Sequence, residues 1–301
     1  SNRLDWNVRG YSHGFYNRGQ DSTAILMYEQ SSRNDVTHNS ATHGGDGLFL
    51  WAGQSTMDTG QGGANDNTFS GNDFSHAVAN GIEATFSRNT FTDNRIEDCW
   101  HGVWGGYSYD SVFARNTFAK NTEAIAIEHG QNIRISGNTF SGDETAIRLW
   151  ANATQDPNWG YPKARDTRSR GYRIDDNRFD QHKVALNLTR TSAVEVSRNT
   201  YTGVAMPLQT GIEVTGLTFE GPSAVAGPFP APGAARHPDD MDAMLAPGAL
   251  RGRGTIVVDD WGPFDYRSPK LWPAGKPGDR PLTLRVLGPA GRWTVASVQG
   301  A

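Results

Sequence analysis

Two glutamates, three tryptophans and an arginine fall at matching places in a set of short alternating segments. The segments are Ala24-Ile25-Leu26-Met27-Tyr28, Gly47-Leu48-Phe49-Leu50-Trp51, Gly81-Ile82-Glu83-Ala84-Thr85, Gly102-Val103-Trp104-Gly105-Gly106, Ala124-Ile125-Ala126-Ile127-Glu128, Ala146-Ile147-Arg148-Leu149-Trp150 and Ala185-Leu186-Asn187-Leu188-Thr189. Aligned, their third positions read Leu, Phe, Glu, Trp, Ala, Arg, Asn, and their fifth positions Tyr, Trp, Thr, Gly, Glu, Trp, Thr. A solvated strand face usually carries Thr, Ser, Lys and Asn. This one gathers Trp, Tyr, Glu and Arg in its middle segments. A pyranose ring offers C–H faces that stack on indole and phenol rings, and its hydroxyls hydrogen-bond to carboxylates, amides and guanidinium groups. Tyr28, Trp51, Trp104, Tyr107 and Trp150 are therefore the expected sugar-binding residues.

Glu83 and Glu128 face the same way, two segments apart. If the segments stack as neighbouring strands, their Cα atoms lie ~12 Å apart, and side chains leaning together close the carboxyls to roughly 7–9 Å. That span suits the acid and the water-activating base of an inverting glycosidase better than a retaining pair. Asp46, His101 and Glu123 precede their strands and are alternative partners, while His129 follows Glu128 directly and is expected to orient it. Arg148 admits a second chemistry. It could hold a uronate carboxylate while His101, Tyr107 or Arg148 itself takes the C5 proton, as in a lyase. The bland reading of Arg148 is an ion pair with Glu128. A calcium ion would need several oxygens together, and Asp58, Asp66 and Asp73 are scattered along the chain, so neither a metal nor another cofactor is assigned.

These residues need a scaffold that repeats. An Asn-x-aromatic phrase recurs as Asn67-Thr68-Phe69, Asn89-Thr90-Phe91, Asn116-Thr117-Phe118, Asn138-Thr139-Phe140, Asn177-Arg178-Phe179 and Asn199-Thr200-Tyr201, and more faintly as Asn34-Asp35-Val36. An Asn or Asp follows five residues on in several copies. The spacings are 33, 22, 27, 22, 39 and 22, a period near 22 with additions, which marks a solenoid. Second and fourth positions of each aligned segment are aliphatic or tiny, so they point inward, and a Gly or Ala opens each strand at a tight corner. Val36, Phe69, Phe91, Phe118, Phe140, Phe179 and Tyr201 are expected to stack as one inward column beside a structural ladder of asparagine side chains. The 33-residue interval adds Gly53–Asn65 after Trp51, and the 39-residue interval adds Ala151–Arg170 after Trp150. Both loops leave one corner and are expected to wall a groove. The 27-residue interval is read as an addition of Glu97–His101 at the opposite end of the strand.

Short repeats with Asn-Thr-Phe turns and Gly-Ile strand starts resemble the right-handed parallel β-helix of the pectin-lyase-like superfamily, over roughly residues 3–220. The resemblance implies an all-β solenoid and a carbohydrate-active protein: a glycoside hydrolase first, a polysaccharide lyase or uronate epimerase second, a non-catalytic glycan-binding or structural helix third. Gly45-Asp46-Gly47 and Glu128-His129-Gly130 are faintly similar to polygalacturonase phrases. The paired aspartates of that family are missing, and it is not assigned.

The bulk numbers agree with this reading. Of 301 residues 36% are hydrophobic, little for one round core but enough for a thin helix. A net charge of -4 favours neither nucleic acid nor an acidic membrane as partner, and the expected partner is a polysaccharide or oligosaccharide. A single cysteine, Cys99, excludes an intrachain disulfide and reads as buried filler. No run reaches membrane-spanning length. No signal peptide is visible, and the chain opens Ser1-Asn2-Arg3, as a trimmed piece of a secreted or periplasmic protein would. Tyr11, His13, Phe15, Tyr16 and Arg18 are expected to cap the first coil. Beyond residue 220, residues 221–250 read as a Pro/Gly/Ala-rich linker with a helical turn near Asp239–Leu245. Residues 251–301 read as a partial β-sandwich in which Leu282–Val286 pairs with Trp293–Ala296.

Overall fold

The computed structural model describes residues 1–7 and 22–221, together with 253, 257–259, 262–264, 271–274, 280–281, 283–286, 292, 294 and 296–297. Residues 22–221 form a parallel β-helix with three sheets. The sheet that matters most here runs, neighbour to neighbour, through Thr23–Tyr28, Asp46–Trp51, Asn80–Ala84, His101–Trp104, Glu123–Glu128, Thr145–Trp150, Val184–Thr189 and Met206–Thr210. A second eight-stranded sheet runs from Asp35–Thr37 to Thr215–Phe219, and a five-stranded third from Arg95–Glu97 to Thr200–Thr202.

The strand register is the one the alternation predicts. Leu26 pairs with Phe49, Phe49 with Glu83, Glu83 with Trp104, Trp104 with Ala126, Ala126 with Arg148 and Arg148 with Asn187. Tyr28 pairs with Trp51, and Glu128 with Trp150. Between these outward positions Leu48, Leu50, Ile82, Val103, Ile125, Ile127, Ile147, Leu149, Leu186 and Leu188 are fully buried. The small residue at the strand start answers to a close approach. A Cβ on Gly81 would lie 2.6 Å from the Ile96 side chain and 2.8 Å from the Gly102 carbonyl oxygen.

The inward aromatic column is two columns. Phe69, Phe91 and Phe113 stack in the second sheet with centroids 5.0 and 4.9 Å apart. Phe118, Phe140, Phe179 and Tyr201 stack in the third, 4.9 to 5.1 Å apart. The reason is a change of phase in the sequence. The Asn-Thr-Phe phrase sits at one corner in the coils of Asn67 and Asn89 and at the next corner from Asn116 onward. Asn34, Asn67 and Asn89 form a short ladder that ends on the Ser111 hydroxyl. A longer one runs Asn2, Asn39, Asn72, Asn94, Asn116, Asn138, Asn177, Asn199. The 27-residue interval is thus no insertion. Asn94 and Asn116 are 22 apart on one ladder, and His101 begins an ordinary strand.

A third corner carries Cys99, whose backbone N–H donates to Asn121, and Asn121 in turn donates to Asp143. Cys99 is buried, as expected. Many of the corners turn on one left-handed residue, among them Phe86, Tyr107, His129 and Arg190.

Both long intervals carry a helix, α1 (Gly53–Thr59) and α2 (Gly160–Ala164). The two helices pack on each other, so closely that a Cβ on Gly160 would fall 2.0 Å from the Asp58 carbonyl oxygen. Near the C-terminus Leu284–Val286 pairs antiparallel with Leu271–Pro273, and Val257–Asp259 with Gly262–Phe264; the pairing expected between Leu282–Val286 and Trp293–Ala296 lies partly outside the described residues. The cluster at Tyr11–Arg18 and the turn at Asp239–Leu245 lie outside the described residues.

Candidate functional site

Glu83, Trp104, Arg148, Glu128 and Trp150 share one face of the first sheet, each partly exposed. Trp104 and Trp150 lie two strands apart, and their rings lean together to 5.5 Å over the fully buried Ala126. The smallest side chain of the column makes that contact possible. The two indoles therefore form one aromatic patch rather than two separate platforms. Trp51 belongs to a second patch with the buried Phe49, centroids 6.3 Å apart, and Tyr28 extends it at 52% exposure.

A polar chain runs beneath the patch. Asn80, His101 and Glu123 occupy one register at the N-terminal ends of three adjacent strands. The Asn80 amide donates to Glu83 Oε2 at 2.9 Å, and its Oδ1 lies 3.0 Å from His101 Nδ1. On the other side of the ring Nε2 stands 3.4 Å from Glu123 Oε2, long for a hydrogen bond but close for charge. Glu123 Oε1 accepts from Arg148 at 3.0 Å, and the Arg148 guanidinium lies 4.2 Å above the Trp150 ring. One imidazole thus connects an acid on one side of Trp104 to a cation on the other, and its ring packs between Trp100 and Trp104. Burial pushes the Glu123 carboxyl up, but His101 and Arg148 more than offset it and hold the group below the ordinary carboxylate range.

The ion pair expected between Arg148 and Glu128 is instead made with Glu123. Glu128 accepts from the Asn152 side-chain amide. Asp46 is wholly buried and accepts from the Asn80 backbone N–H, so it braces the corner rather than facing the groove. His129 and Tyr107 leave the face as well. Both take the left-handed corner conformation, which turns them under the two loops. There Phe86, Tyr107 and His129 stack at 4.9 and 4.7 Å, edge-on to Trp159 and Tyr161. Burial pushes the Tyr107 phenol up to about 12, so it is neutral and unsuited to act as a base. His129 gives up neither ring nitrogen to the groove, since Nδ1 donates to Thr167 O at 2.6 Å and Nε2 accepts the Asn152 N–H at 3.0 Å.

The two loops form a joint roof over this corner rather than two walls. Arg165 pins the roof through a cation–π contact of 3.9 Å on Tyr109. Only the start of the second loop reaches the face. Ala151, Asn152 and Ala153 border an open depression of about 360 Å³ with Trp150, Arg148 and Arg190.

Asn80 and Asn152 are participants that sequence reasoning missed. Asn80 was legible, since it precedes Glu83 by the same three residues that separate His101 from Trp104 and Glu123 from Ala126. Asn152 lies in a loop without periodicity, where no pattern singles it out. Asp58, Asp66 and Asp73 do not converge. They are engaged separately by Gln54, Arg88 and Arg95.

A family model described as "Periplasmic copper-binding protein (NosD)" matches residues 16–159, just under half of the chain. The matched stretch takes in the strands from Thr23 to Trp150, the region of the parallel coils that carries the site. The chain is a right-handed parallel β-helix protein of pectin-lyase-like fold. No curated protein and no solved structure matches it. The family's description names the periplasm, in line with the expectation of a secreted or periplasmic chain. Among the described residues no helix is long and apolar enough to cross a membrane, and no three His, Cys, Asp or Glu side chains are grouped as a metal site.

Proposed function

We propose that this β-helix binds a polysaccharide or oligosaccharide along the exposed face of its first sheet. The observation that carries the reading is the Trp104–Trp150 patch, flanked on one surface by Glu83, Glu128 and Arg148 and opening onto the depression beside Asn152. Aromatic area supplies the apolar contact, and the carboxylates, amides and guanidinium supply the polar ones. The test is affinity electrophoresis against oligogalacturonate as an acidic probe and xylohexaose as a neutral one, with Trp150→Ala and Trp104→Ala alongside the parent. Loss of about tenfold or more in affinity in both variants is expected, as for other aromatic anchors. Equal retardation of parent and variants would remove the reading.

Cleavage is a second reading, favoured by the placement of Glu83 and Glu128 on one face, two strands apart, each accepting from a side-chain amide. In it the two carboxyls act as acid and base of an inverting hydrolysis. New reducing ends that vanish in Glu83→Gln and Glu128→Gln would support it. An unsaturated, ultraviolet-absorbing product would point to a lyase instead.

Copper, named in the family's description, does not fit the described residues. Copper is held by imidazole and by thiolate or thioether donors. His43 and His76 pack ring to ring, tilted by 31° at 4.6 Å, and their Nδ1 atoms are engaged separately by Thr42 and Asp98. His101 and His129 are engaged in the networks above, and burial holds the Cys99 thiol well above its ordinary range.

A further inference from the structure

Asn152 contacts two neighbouring groups that were expected to act together. Its backbone N–H donates to His129 Nε2 at 3.0 Å, and its side-chain amide donates to Glu128 Oε1. Glu128 and His129 are consecutive, so the strand end and the first turn of the long loop are tied at two points. The other ring nitrogen of His129 fastens the far end of the same loop through Thr167 O at 2.6 Å. Gln155, from the middle of the loop, donates to the Tyr107 hydroxyl at 2.9 Å and accepts from the Thr167 hydroxyl at 2.8 Å. One imidazole thereby holds both ends of the 151–168 excursion, and the excursion's first residues form a wall of the depression beside Trp150.

This arrangement requires a neutral ring with its proton on Nδ1. A proton added to Nε2 would face the Asn152 N–H, and two donors cannot share one hydrogen bond.

We propose that His129 and Asn152 form an acid-released latch: the neutral imidazole seats Asn152, Asn152 sets the Glu128 carboxylate and the wall of the depression, and protonation of the ring lets go of both. His129 and Asn152 are positioning residues in this scheme, and its consequence for ligand binding rests on the glycan reading above. Burial shifts His129 in the required direction, below the ordinary histidine range. The charges and dipoles around it are those of Glu128 on its own strand, Tyr107 stacked on its ring, and Arg165, Asp166 and Tyr161 around the small cavity beneath the loop. The hydrogen bond to the Thr167 carbonyl and the charge of Glu128 oppose the shift, and burial outweighs them. With the folded value depressed, the latch is closed at neutral pH and opens as the pH falls through that value.

The test is hydrogen exchange of the Asn152 amide in the full chain, expressed as a protection factor, with the buried Asn138 amide as reference. Protection of Asn152 should fall by about tenfold or more between about pH 7.5 and about pH 5 while that of Asn138 holds. In His129→Phe, which keeps the stack on Tyr107, it should be low and independent of pH. Asn152→Ala keeps the backbone N–H and its pH response, but should lose about tenfold in affinity for the glycan probe that the parent binds. Constant protection of Asn152 across the range, or loss only together with Asn138, overturns the latch. If protection responds as expected while neither oligogalacturonate nor xylohexaose binds at any pH, the latch stands and the glycan reading falls.

Discussion

The corner that carries the Asn2–Asn199 ladder and the face that carries Trp104 are made from the same coils, yet they spend their residues differently. In the ladder one solution is copied from coil to coil. Asn116 Oδ1 accepts both the backbone N–H and the side-chain amide of Asn94, and the Asn116 side-chain amide donates to Asn138 Oδ1 and to the Phe91 carbonyl. On the face no coil copies its neighbour. Phe, Glu, Trp, Ala and Arg follow one another in a single column. Repetition satisfies buried polar groups with one residue type, so it serves stability and can be shared by every coil. A binding surface needs different groups at defined separations, so it appears where the repeat varies while its register is kept.

The comparison breaks first if the ladder proves dispensable. Asn116→Ala deletes four buried hydrogen bonds and strands their partners. At about 1–1.5 kcal/mol each it should cost on the order of 5 kcal/mol in chemical denaturation, with glycan affinity unchanged in the protein that remains folded. A loss near 1 kcal/mol would mean that the aromatic columns alone hold the coils.

Asp143 sharpens the comparison, because there an acid occupies a ladder position. Its Oδ1 accepts twice from Asn121, while Oδ2 is buried 3.9 Å from His182 Nδ1, which itself bonds the Asp143 backbone carbonyl. Burial pushes the carboxyl up to about 7. A carboxyl with a raised folded value binds its proton more tightly in the fold. The fold therefore loses stability as the pH rises from the ordinary carboxylate value to about 7, by an amount on the order of 4 kcal/mol. Asp143→Asn should remove that loss and melt higher than the parent at neutral pH. The amide would follow Asn121, whose Nδ2 donates to the Ile96 carbonyl one coil back. A parent and a variant with the same difference in stability at low and neutral pH would contradict this.

These contrasts also explain what could be read in advance. The register of the first sheet was legible because inward aliphatics alternate in every coil, and two 22-residue steps suffice to set the frame. The single aromatic column was misread because Asn-Thr-Phe serves two successive corners with the same three residues. Nothing in the phrase says which corner it occupies until the Asn five positions on is followed to its own partner. His129 and Tyr107 were expected to serve the groove because they follow outward positions at the ends of their strands, where the corner conformation cannot be read. A left-handed corner residue reverses the side chain's direction, and His and Tyr carry no sign of that conformation as glycine would. The roof was legible as two insertions at one corner but not as a packed pair, since α1 and α2 meet through loop residues without period.

His101 tests whether the face works as a unit. His101→Gln leaves the strand register intact but breaks the link from Asn80 to Glu123. If Glu83 and Arg148 act on one ligand through this link, affinity should fall about tenfold, or about 1.4 kcal/mol, and Glu83→Gln in the same chain should add less than it does alone. Full additivity would mean that the two groups work independently and the imidazole is packing for Trp104.

The smallest effect is expected where repetition reaches solvent. Arg115 pairs bidentately with Asp93 at 2.9 and 2.8 Å, one coil apart, and Arg88 with Asp66 and Arg198 with Asp176 repeat the motif. These pairs recur beside both asparagine ladders, drawn with charge instead of amide. Their side chains are about half exposed, so water competes for every bond and salt screens what is left. Arg115→Ala should therefore cost no more than about 0.5 kcal/mol, and less as ionic strength rises. A cost approaching that of Asn116→Ala would show that periodicity itself stabilises, wherever it lies. The small cost expected here ties stability to burial of the repeated group, and the repeat only to its supply.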